Sequence, residues 1–419
     1  MAEGPADGQR MTGSGVPIVP PFDGFRAIGI FGIVILHTLQ IAGIVWDPDG
    51  TPIERLLWAA DIGQTSLNAL FIVSGFVIYL PIAARKGQLG DWRAFVLRRG
   101  ARLFPAYWLV LVLMLVLIAV LPFESGLLVF PSAADLALTF TTLEVPSEMF
   151  RFTYYLGFGM NRAIWTLSLD ITFYILLILL AVRFYRRPLV GLGIAVVMAI
   201  GWRLAFTNLA GISTGLGFDP DPRRISDLYL AAEIQFPFWA MSFAVGMCLA
   251  QVFVRIKDGT APALVKRFVG VPMLAASIAG LVVLIVAVAV IRPESVHYSP
   301  VAGPVYTALL GLFMLGTITA PESVQRPFSN RPARFLGDIS YGAYLIHLVL
   351  LTLLLEFASL PRGTYADALL WIAIVAPLSA LWGWGSSRLV EQPIRRRASA
   401  WARSMGAKPE RLPASASPP

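Results

Sequence analysis

The most regular feature of the chain is a series of long apolar stretches separated by shorter polar segments. A helix needs about 20 mostly apolar residues to cross a bilayer. Ten stretches meet this requirement: 25–46, 62–84, 103–122, 163–183, 189–209, 229–254, 270–291, 301–320, 335–358 and 366–388. The pattern predicts an all-α polytopic membrane protein with about ten transmembrane helices. Between the third and fourth stretches, the apolar segment 136–143 indicates an interfacial or re-entrant piece.

The amino-acid composition supports this class. Of the 419 residues, 57% are hydrophobic and 14% are charged, and the mean hydropathy is +0.71. A soluble fold could not cover so much apolar surface with so few charges. The net charge of +8 is explained by basic residues that set topology, so membrane lipids rather than nucleic acid are the expected surroundings. His37, His297 and His347 belong to no close cluster with ligand spacing, so no metal site is predicted.

The distribution of basic residues predicts the orientation. Lys and Arg accumulate in cytoplasmic loops. With both termini in the cytoplasm, 25 of the 33 basic residues lie on the cytoplasmic side and the remaining 8 on the opposite side. We therefore predict that both termini are cytoplasmic and that the protein is a multi-pass component of a cell membrane.

The two ends of the chain differ from the apolar part in composition. Residues 1–22 are rich in Gly, Pro and small polar residues, and residues 399–419 are rich in Ala, Ser and Pro. Such segments bury too little apolar surface to fold. We predict disorder at both ends and one transmembrane domain over residues 23–398.

His37 lies in the middle of the first apolar stretch, with Arg26 eleven residues before it. Hydrocarbon penalises polar groups, so an ionisable side chain at membrane depth is a functional candidate. Eleven residues make about three helical turns, so the two side chains lie on nearly the same helix face, about 16 Å apart along the axis. The spacing predicts a cationic group near one membrane surface and a potential base near the bilayer middle.

A basic cluster, Arg98, Arg99 and Arg102, precedes the third apolar stretch. Helical spacing puts Arg98 and Arg102 one turn apart and gives Arg99 and Arg102 a common face. Guanidinium groups bind phosphates through paired hydrogen bonds, so a cytoplasmic cluster could hold the phosphates of coenzyme A. The alternative is a topology anchor that contacts anionic lipid.

Asp170 opens the fourth apolar stretch and is followed by apolar residues. A buried carboxylate needs a partner. Asp170 could orient and charge-stabilise His37, as acid–base catalysis requires. Alternatively, it is a helix-end carboxylate that pairs with nearby Arg162.

Ser340, Tyr344 and His347 fall on one helical stripe of the ninth stretch. A polar stripe within a span is expected to face the bundle interior. His347 could bind substrate or make an interhelical hydrogen bond, and Tyr344 is a second candidate for orienting His37. His297 lies in a predicted external loop, where a solvated role is expected.

Several short motifs, taken in order along the chain, resemble those of the bacterial membrane acyltransferase-3 family. They are residues 23–26 followed by His37, residues 71–76, the arginine cluster with 104–108, and residues 165–174, 336–347 and 391–393. The six motifs run from the first predicted span to the last. The chain departs from the family pattern at Asp170, where the family commonly has glutamate.

The resemblance implies a ten-span enzyme that transfers an acyl group, often acetyl, from cytoplasmic acyl-coenzyme A to a hydroxyl group. The acceptor in such proteins is commonly an envelope sugar, a glycolipid or a glycosylated small molecule. The functional pairs of the family correspond here to Arg26 with His37 and to Arg99 with Arg102.

The resulting hypothesis is acyl transfer within the membrane, with acyl-coenzyme A as donor substrate and no metal. The candidate residues are His37 and Asp170 for catalysis, Arg26, Arg98, Arg99 and Arg102 for donor binding, and Ser340, Tyr344 and His347 for substrate binding. The rival hypothesis is a transporter that exports a lipid-linked or small glycoside. In that protein, His37, Asp170 and His347 would relay protons or bind cargo.

Overall fold

The computed structural model describes residues 19–123, 130–151, 157–215, 217, 222–291 and 295–406, and these form helices without strands. The helices are α1 (Pro21–Ile41), α2 (Pro52–Ala60), α3 (Ile62–Ala84), α4 (Trp92–Val120), α5 (Ala133–Phe140), α6 (Glu144–Arg151), α7 (Trp165–Arg186), α8 (Pro188–Thr207), α9 (Leu209–Gly215), α10 (Pro222–Glu233), α11 (Phe236–Lys257), α12 (Ala263–Phe268), α13 (Val271–Ile291), α14 (Ala302–Thr319), α15 (Glu322–Ser329), α16 (Arg331–Phe357), α17 (Tyr365–Ser386) and α18 (Gln392–Gly406). Short 3₁₀ turns at Gly157–Gly159 and Arg162–Ile164 precede α7, and a π-helical turn at Ser387–Glu391 joins α17 to α18.

Ten helical segments of the described chain are long and apolar enough to cross a membrane. They confirm the predicted all-α, ten-span architecture. In chain order, the segments contain the long helices α1, α3, α4, α7, α8, α11, α13, α14, α16 and α17. Because ten crossings return the chain to its starting side, α1 begins at the same end of the bundle as α18 ends. We call this the arginine end, since Arg26, Arg102 and the arginines of α18 lie there. Its cytoplasmic location stays a prediction.

Close helix packing depends on small residues, as expected where lipid removes the hydrophobic incentive to associate. A Cβ atom at Gly75 of α3 would overlap the backbone carbonyl of Phe243 in α11, and one at Gly246 would overlap the carbonyl of Ile72. These two glycines let α3 and α11 cross backbone to backbone. Buried aromatic rings fill the space beside the crossing, where Phe173 of α7 stacks on Phe243 at a centroid distance of 4.4 Å.

Helix α1 packs against α3, α15, α16 and α17. At the arginine end, a Cβ atom at Gly337 of α16 would meet the backbone of Asp23, and one at Gly24 would overlap the backbone of Phe328. This close approach brings the first turn of α1 against the start of α16. The polar residues of α1 and those of α16 therefore lie side by side.

Three predicted boundaries differ from the structure. Helix α4 begins at Trp92, so the basic cluster lies in its second and third turns rather than before the span. Helix α1 begins at Pro21, inside the segment predicted to be disordered, because proline is favoured at the first helical position. Helix α18 continues to Gly406, since Ala398 and Ala402 bury one of its faces. The rest of both predicted disordered ends, 1–18 and 407–419, lies outside the described residues.

Candidate active site

A cavity of about 110 Å³ lies between α1, α3, α4, α7 and α16, and extends from the arginine end toward mid-bundle. Its polar wall consists of Arg26, Ser74, Arg102, Thr166, Asp170, Tyr174, Ser340, Tyr341 and Tyr344. Its apolar wall includes Ile30, Leu67, Leu70, Phe71 and Leu345. Residues predicted from four separate motifs therefore line the same cavity. They are Arg26, Arg102, Asp170, and Ser340 with Tyr344.

Arg26 enters the cavity from the second turn of α1. Its Nη1 atom donates to Oδ1 of Asp23, one turn earlier, at 3.4 Å. The positive charge of Arg102 also acts on Arg26 and opposes this pairing. Asp23 is thus one of several carboxylates near the guanidinium groups at the cavity mouth, since Asp338 also acts on Arg26.

The three arginines of the α4 cluster separate into different environments. Arg102 lines the cavity. Arg99 lies over the rings of Phe95 and Tyr174, with Cζ 5.6 and 5.9 Å from the two ring centroids, so cation–π contacts hold it beside the cavity. Arg98 does not line the cavity and interacts instead with the charges of Arg85 and Asp91.

Asp170 faces the arginines rather than His37. Its carboxylate is acted on by the charges of Arg102, Arg99 and Arg26, and its atom Oδ1 is buried without a hydrogen-bond partner. The predicted contact that would orient His37 is therefore not present. The reason is helical geometry, because Asp170 lies toward the arginine end and His37 lies three turns of α1 beyond Arg26.

His37 is held by His347, although 310 residues separate them in the sequence. Nδ1 of His37 lies 2.9 Å from Nε2 of His347, and the rings are stacked with planes only 5° apart. Nδ1 of His347 lies 2.5 Å from the carbonyl oxygen of Tyr344. A carbonyl can only accept, so in neutral His347 Nδ1 carries the proton and Nε2 accepts from Nδ1 of His37. This assignment leaves Nε2 of His37 as the basic nitrogen.

The predicted stripe on α16 faces the bundle interior, because Ser340, Tyr344 and His347 are all buried. The Tyr344 hydroxyl donates to the carbonyl of Ala163 at 2.6 Å, and Ser340 Oγ donates to the carbonyl of Gly337 at 2.8 Å. Tyr344 lies on the cavity wall, whereas His347 and His37 do not. A substrate-binding role for these three residues stays a prediction.

An apolar cluster separates the cavity from the histidine pair. It is formed by Ile30 and Ile33 of α1, Ala163 and Tyr344, with Leu67, Leu70 and Leu348 packed against it. Ile30 lies on the cavity wall and Ile33 is one turn closer to His37. From Ile30 to His37 the distance along the axis is about 10 Å at the helical rise per residue. Side chains of this cluster must therefore move before a molecule in the cavity can reach His37.

His297 was expected to be solvated and is instead fully buried. Its Nδ1 accepts from the Asn68 amide at 3.0 Å, and its Nε2 lies 3.2 Å from the Thr65 hydroxyl. Burial, helped by the positive charge of Arg203, lowers the pKa of His297 to about 3. The sequence held one signal of this contact: Thr65 and Asn68, three residues apart within an apolar stretch, form a polar stripe that needs partners.

The arginines of α18 also lie near the cavity, although they were not among the candidate site residues predicted from the sequence. Arg395 lies close enough to Arg102 and Arg26 for the three charges to act on one another. In the described part of the chain, no group of three or more His, Cys, Asp or Glu side chains could hold a metal ion. The site is thus a cavity under an arginine-rich mouth, with the histidine pair beyond it.

The chain belongs to the acyltransferase domain family (acyltransferase 3), whose match covers residues 20–388. A peptidoglycan O-acetyltransferase of Listeria monocytogenes is similar, with 24% identity over 93% of this chain and 57% of the relative. Also similar are a putative O-acetyltransferase of Staphylococcus aureus strain COL, 23% identical over 90% of this chain, and an O-acetyltransferase of strain NCTC 8325, 22% identical. The chain spans less than two thirds of the length of these relatives, 57% in each case. No solved structure matches.

Proposed function

We propose that this protein is an integral membrane O-acyltransferase that moves an acetyl group from acetyl-coenzyme A to a hydroxyl of a glycan. Membership of the acyltransferase family supports the reaction class. Relatives named peptidoglycan O-acetyltransferase and putative O-acetyltransferase support acetyl as the group and a sugar polymer as the acceptor class. The observation that carries the proposal is the His37–His347 hydrogen bond, which prepares a base at membrane depth beyond an arginine-lined cavity.

Donor binding begins at the arginine end. The phosphates of the donor meet Arg99 and Arg102, whose guanidinium groups form charge-assisted hydrogen bonds with phosphate oxygens. Arg98 is left out of this role, because it interacts with Arg85 and Asp91 away from the cavity. The thioester arm then passes Arg26 into the cavity. The excess of basic residues at this end supports its placement on the cytoplasmic side.

Transfer requires the acceptor hydroxyl and the thioester to meet at Nε2 of His37. That nitrogen takes the hydroxyl proton while the acceptor oxygen forms a bond to the acyl carbon. The bond from the acyl carbon to sulfur then breaks, and the imidazolium returns its proton to the departing thiolate. His347 takes no part in the bond changes, but its Nε2 holds the Nδ1 proton of His37 and so directs the basic nitrogen toward the reactants.

Asp170 acts on the arginines in this scheme. Its carboxylate lies among Arg26, Arg99 and Arg102 and limits their mutual repulsion when the site is empty. The apolar cluster around Ile33 keeps a thioester in the cavity apart from the base His37 until side chains move, which limits premature hydrolysis of the donor.

The test is transfer from radiolabelled acetyl-coenzyme A to peptidoglycan fragments by the purified protein in lipid nanodiscs. The proposal expects labelled fragments and free coenzyme A in equal amounts. Release of neither, together with saturable transport of glycosides by the same protein in vesicles, would instead establish the transporter. Release of coenzyme A without labelled peptidoglycan would point to a different hydroxyl acceptor.

A further inference from the structure

A second polar hollow lies at the arginine end, beside the cavity mouth. Its volume is about 430 Å³, and it is lined by Asp338, Gln392, Arg395, Arg396, Ser399 and Arg403. All but Asp338 belong to α18. Their positions follow the spacing of one helical face, at intervals of three or four residues and their multiples. One face of α18 therefore lines the hollow along its whole length.

A neighbouring face of α18 is fixed to the bundle. Ala398 and Ala402 are buried, and the helix packs against α4. At the start of α18, the buried Glu391 accepts from the Ser386 hydroxyl at 3.0 Å across the π-helical turn. The arginine face is thus held in place by packing that does not involve the arginines.

Positive charge in the hollow is only partly balanced by protein carboxylates. Arg395, Arg396 and Arg403 line it together with a single carboxylate, that of Asp338, and Glu391 also acts on Arg395. No ion pair with an N–O distance up to 4.0 Å joins these three arginines to a carboxylate of the described residues. Guanidinium groups gathered on one wall without partners provide paired donors for an anion with several oxygens, which is the geometry of phosphate.

The hollow adjoins the donor cavity. Arg395 lines the hollow, and its charge acts on Arg102 and Arg26 of the cavity wall. Asp338, on the other wall of the hollow, acts on Asp23 and Arg26. A long ligand with phosphates at one end could occupy both spaces at once.

We propose that the α18 hollow binds phosphate groups of the nucleotide end of acyl-coenzyme A, while the thioester end enters the cavity. The choice of ligand rests on the proposed acyl transfer. The headgroup of an anionic lipid offers the same phosphate chemistry and is the competing source. Arg396 and Arg403 would contribute to donor affinity and leave the chemical step unchanged, since neither lies near His37.

The test compares the double variant R396Q/R403Q with R397Q, a matched control. Arg397 is exposed on the same helix and does not line the hollow. We measure transfer from acetyl-coenzyme A and from S-acetylpantetheine, which carries no phosphate, in nanodiscs of neutral phosphatidylcholine. The double variant is expected to raise KM for acetyl-coenzyme A about tenfold, the scale of a lost phosphate contact at an exposed site. Its kcat, and its KM for S-acetylpantetheine, should match the wild type.

A binding measurement separates this inference from the proposed reaction. Calorimetric titration of coenzyme A into the same nanodiscs needs no turnover, so a weaker Kd in the double variant supports the hollow even if transfer fails. Equal coenzyme A affinity in the wild type and the double variant overturns the inference, as does an absence of binding to the wild type. Loss of retained phosphatidylglycerol by the double variant, without a change in coenzyme A affinity, would assign the hollow to lipid. Thermal melting checks that both variants are folded.

Discussion

Two groups of buried polar side chains, one around His297 and one around the cavity, differ in how far their members hydrogen-bond to one another. Around His297, Asn68 uses both ends of its amide: Nδ2 donates to the ring, and Oδ1 accepts from Ser242 and Thr307 at 2.6 and 3.0 Å. Around the cavity, Asp170 keeps an unpartnered oxygen and the arginines exceed the carboxylates.

The difference indicates what each group is for. Buried polar groups that pair with one another stabilise a fold and leave no valence for a ligand. Buried groups that stay unpaired beside an open space are costly unless a substrate completes them. We therefore propose that the His297 network is structural and the cavity group functional, and the following experiments test that division.

The largest effect is expected for His37→Ala. Removing the base should lower kcat by about 10²- to 10⁴-fold, the usual contribution of general-base catalysis. The melting temperature should fall as well, because the buried Nε2 of His347 loses its partner at a cost of about 1–3 kcal/mol, so kcat is measured on protein shown to be folded. Gln40→Ala, an exposed position one turn further along α1, serves as the control and should keep wild-type activity. Full transfer by the His37 variant would remove the histidine from the mechanism.

His347 is expected to matter through the orientation of His37. His347→Leu removes the acceptor for the Nδ1 proton of His37 and should lower kcat about 10- to 100-fold, the range for partners that fix a histidine tautomer. His347→Gln keeps an acceptor oxygen near the position of Nε2 and should recover most of the loss. KM for the donor should be the same in both variants. Equal damage in the two variants would indicate a packing role alone.

A substitution in the His297 network should lower the stability of the protein and leave the rate of acyl transfer unchanged. Asn68→Leu leaves Nδ1 of His297 and the Ser242 hydroxyl buried without partners, which costs about 1–3 kcal/mol per group. The melting temperature should fall, while kcat of the folded protein stays at the wild-type value. Thr317→Val is the matched control, because its hydroxyl donates within its own helix to Phe313 at 2.8 Å. If Asn68→Leu lowered kcat as much as His37→Ala does, the two groups would not differ in function as proposed.

His297 should also make the stability of the protein depend on pH. Its folded pKa of about 3 lies below the ordinary value of 6.5, so its stabilising effect is complete above pH 6.5 and declines as pH falls toward 3. In that window the unfolded chain binds a proton that the folded chain rejects, at about 1.4 kcal/mol per pH unit.

A second buried group acts in the opposite direction and must be separated from it. Burial raises the pKa of Glu144 from 4.5 to about 7, so its contribution is present at low pH and is lost as pH rises through 7. Melting curves of the wild type and His297→Gln, compared at each pH between 4 and 8, cancel the Glu144 term. The difference in melting temperature should shrink on acidification. A constant difference would mean that His297 accepts a proton in the folded state.

Much of the fold follows from local properties of the sequence. The ten spans were predictable because each one depends on about 20 consecutive residues and on the cost of placing polar groups in hydrocarbon. The interior position of the stripe with Tyr344 was predictable because helical periodicity and that same cost fix which face turns inward. The start of α4 was predicted too late in the chain, because a hydropathy pattern does not distinguish polar helical turns at the end of a span from a loop.

The pairing of polar groups across the bundle was decided by tertiary structure alone. His37 and His347 were both visible in the sequence, yet their contact depends on the angle and register at which α1 meets α16, set by close approaches such as that of Gly337 to Asp23. The packing of the helices likewise decides that Asp170 lies near the arginines and that His297 contacts Asn68. Hydrophobicity and periodicity determine that a residue is inside and on which face, because they act over a few residues. Which side chain it meets there depends on contacts between segments hundreds of residues apart, and only the packed bundle specifies them.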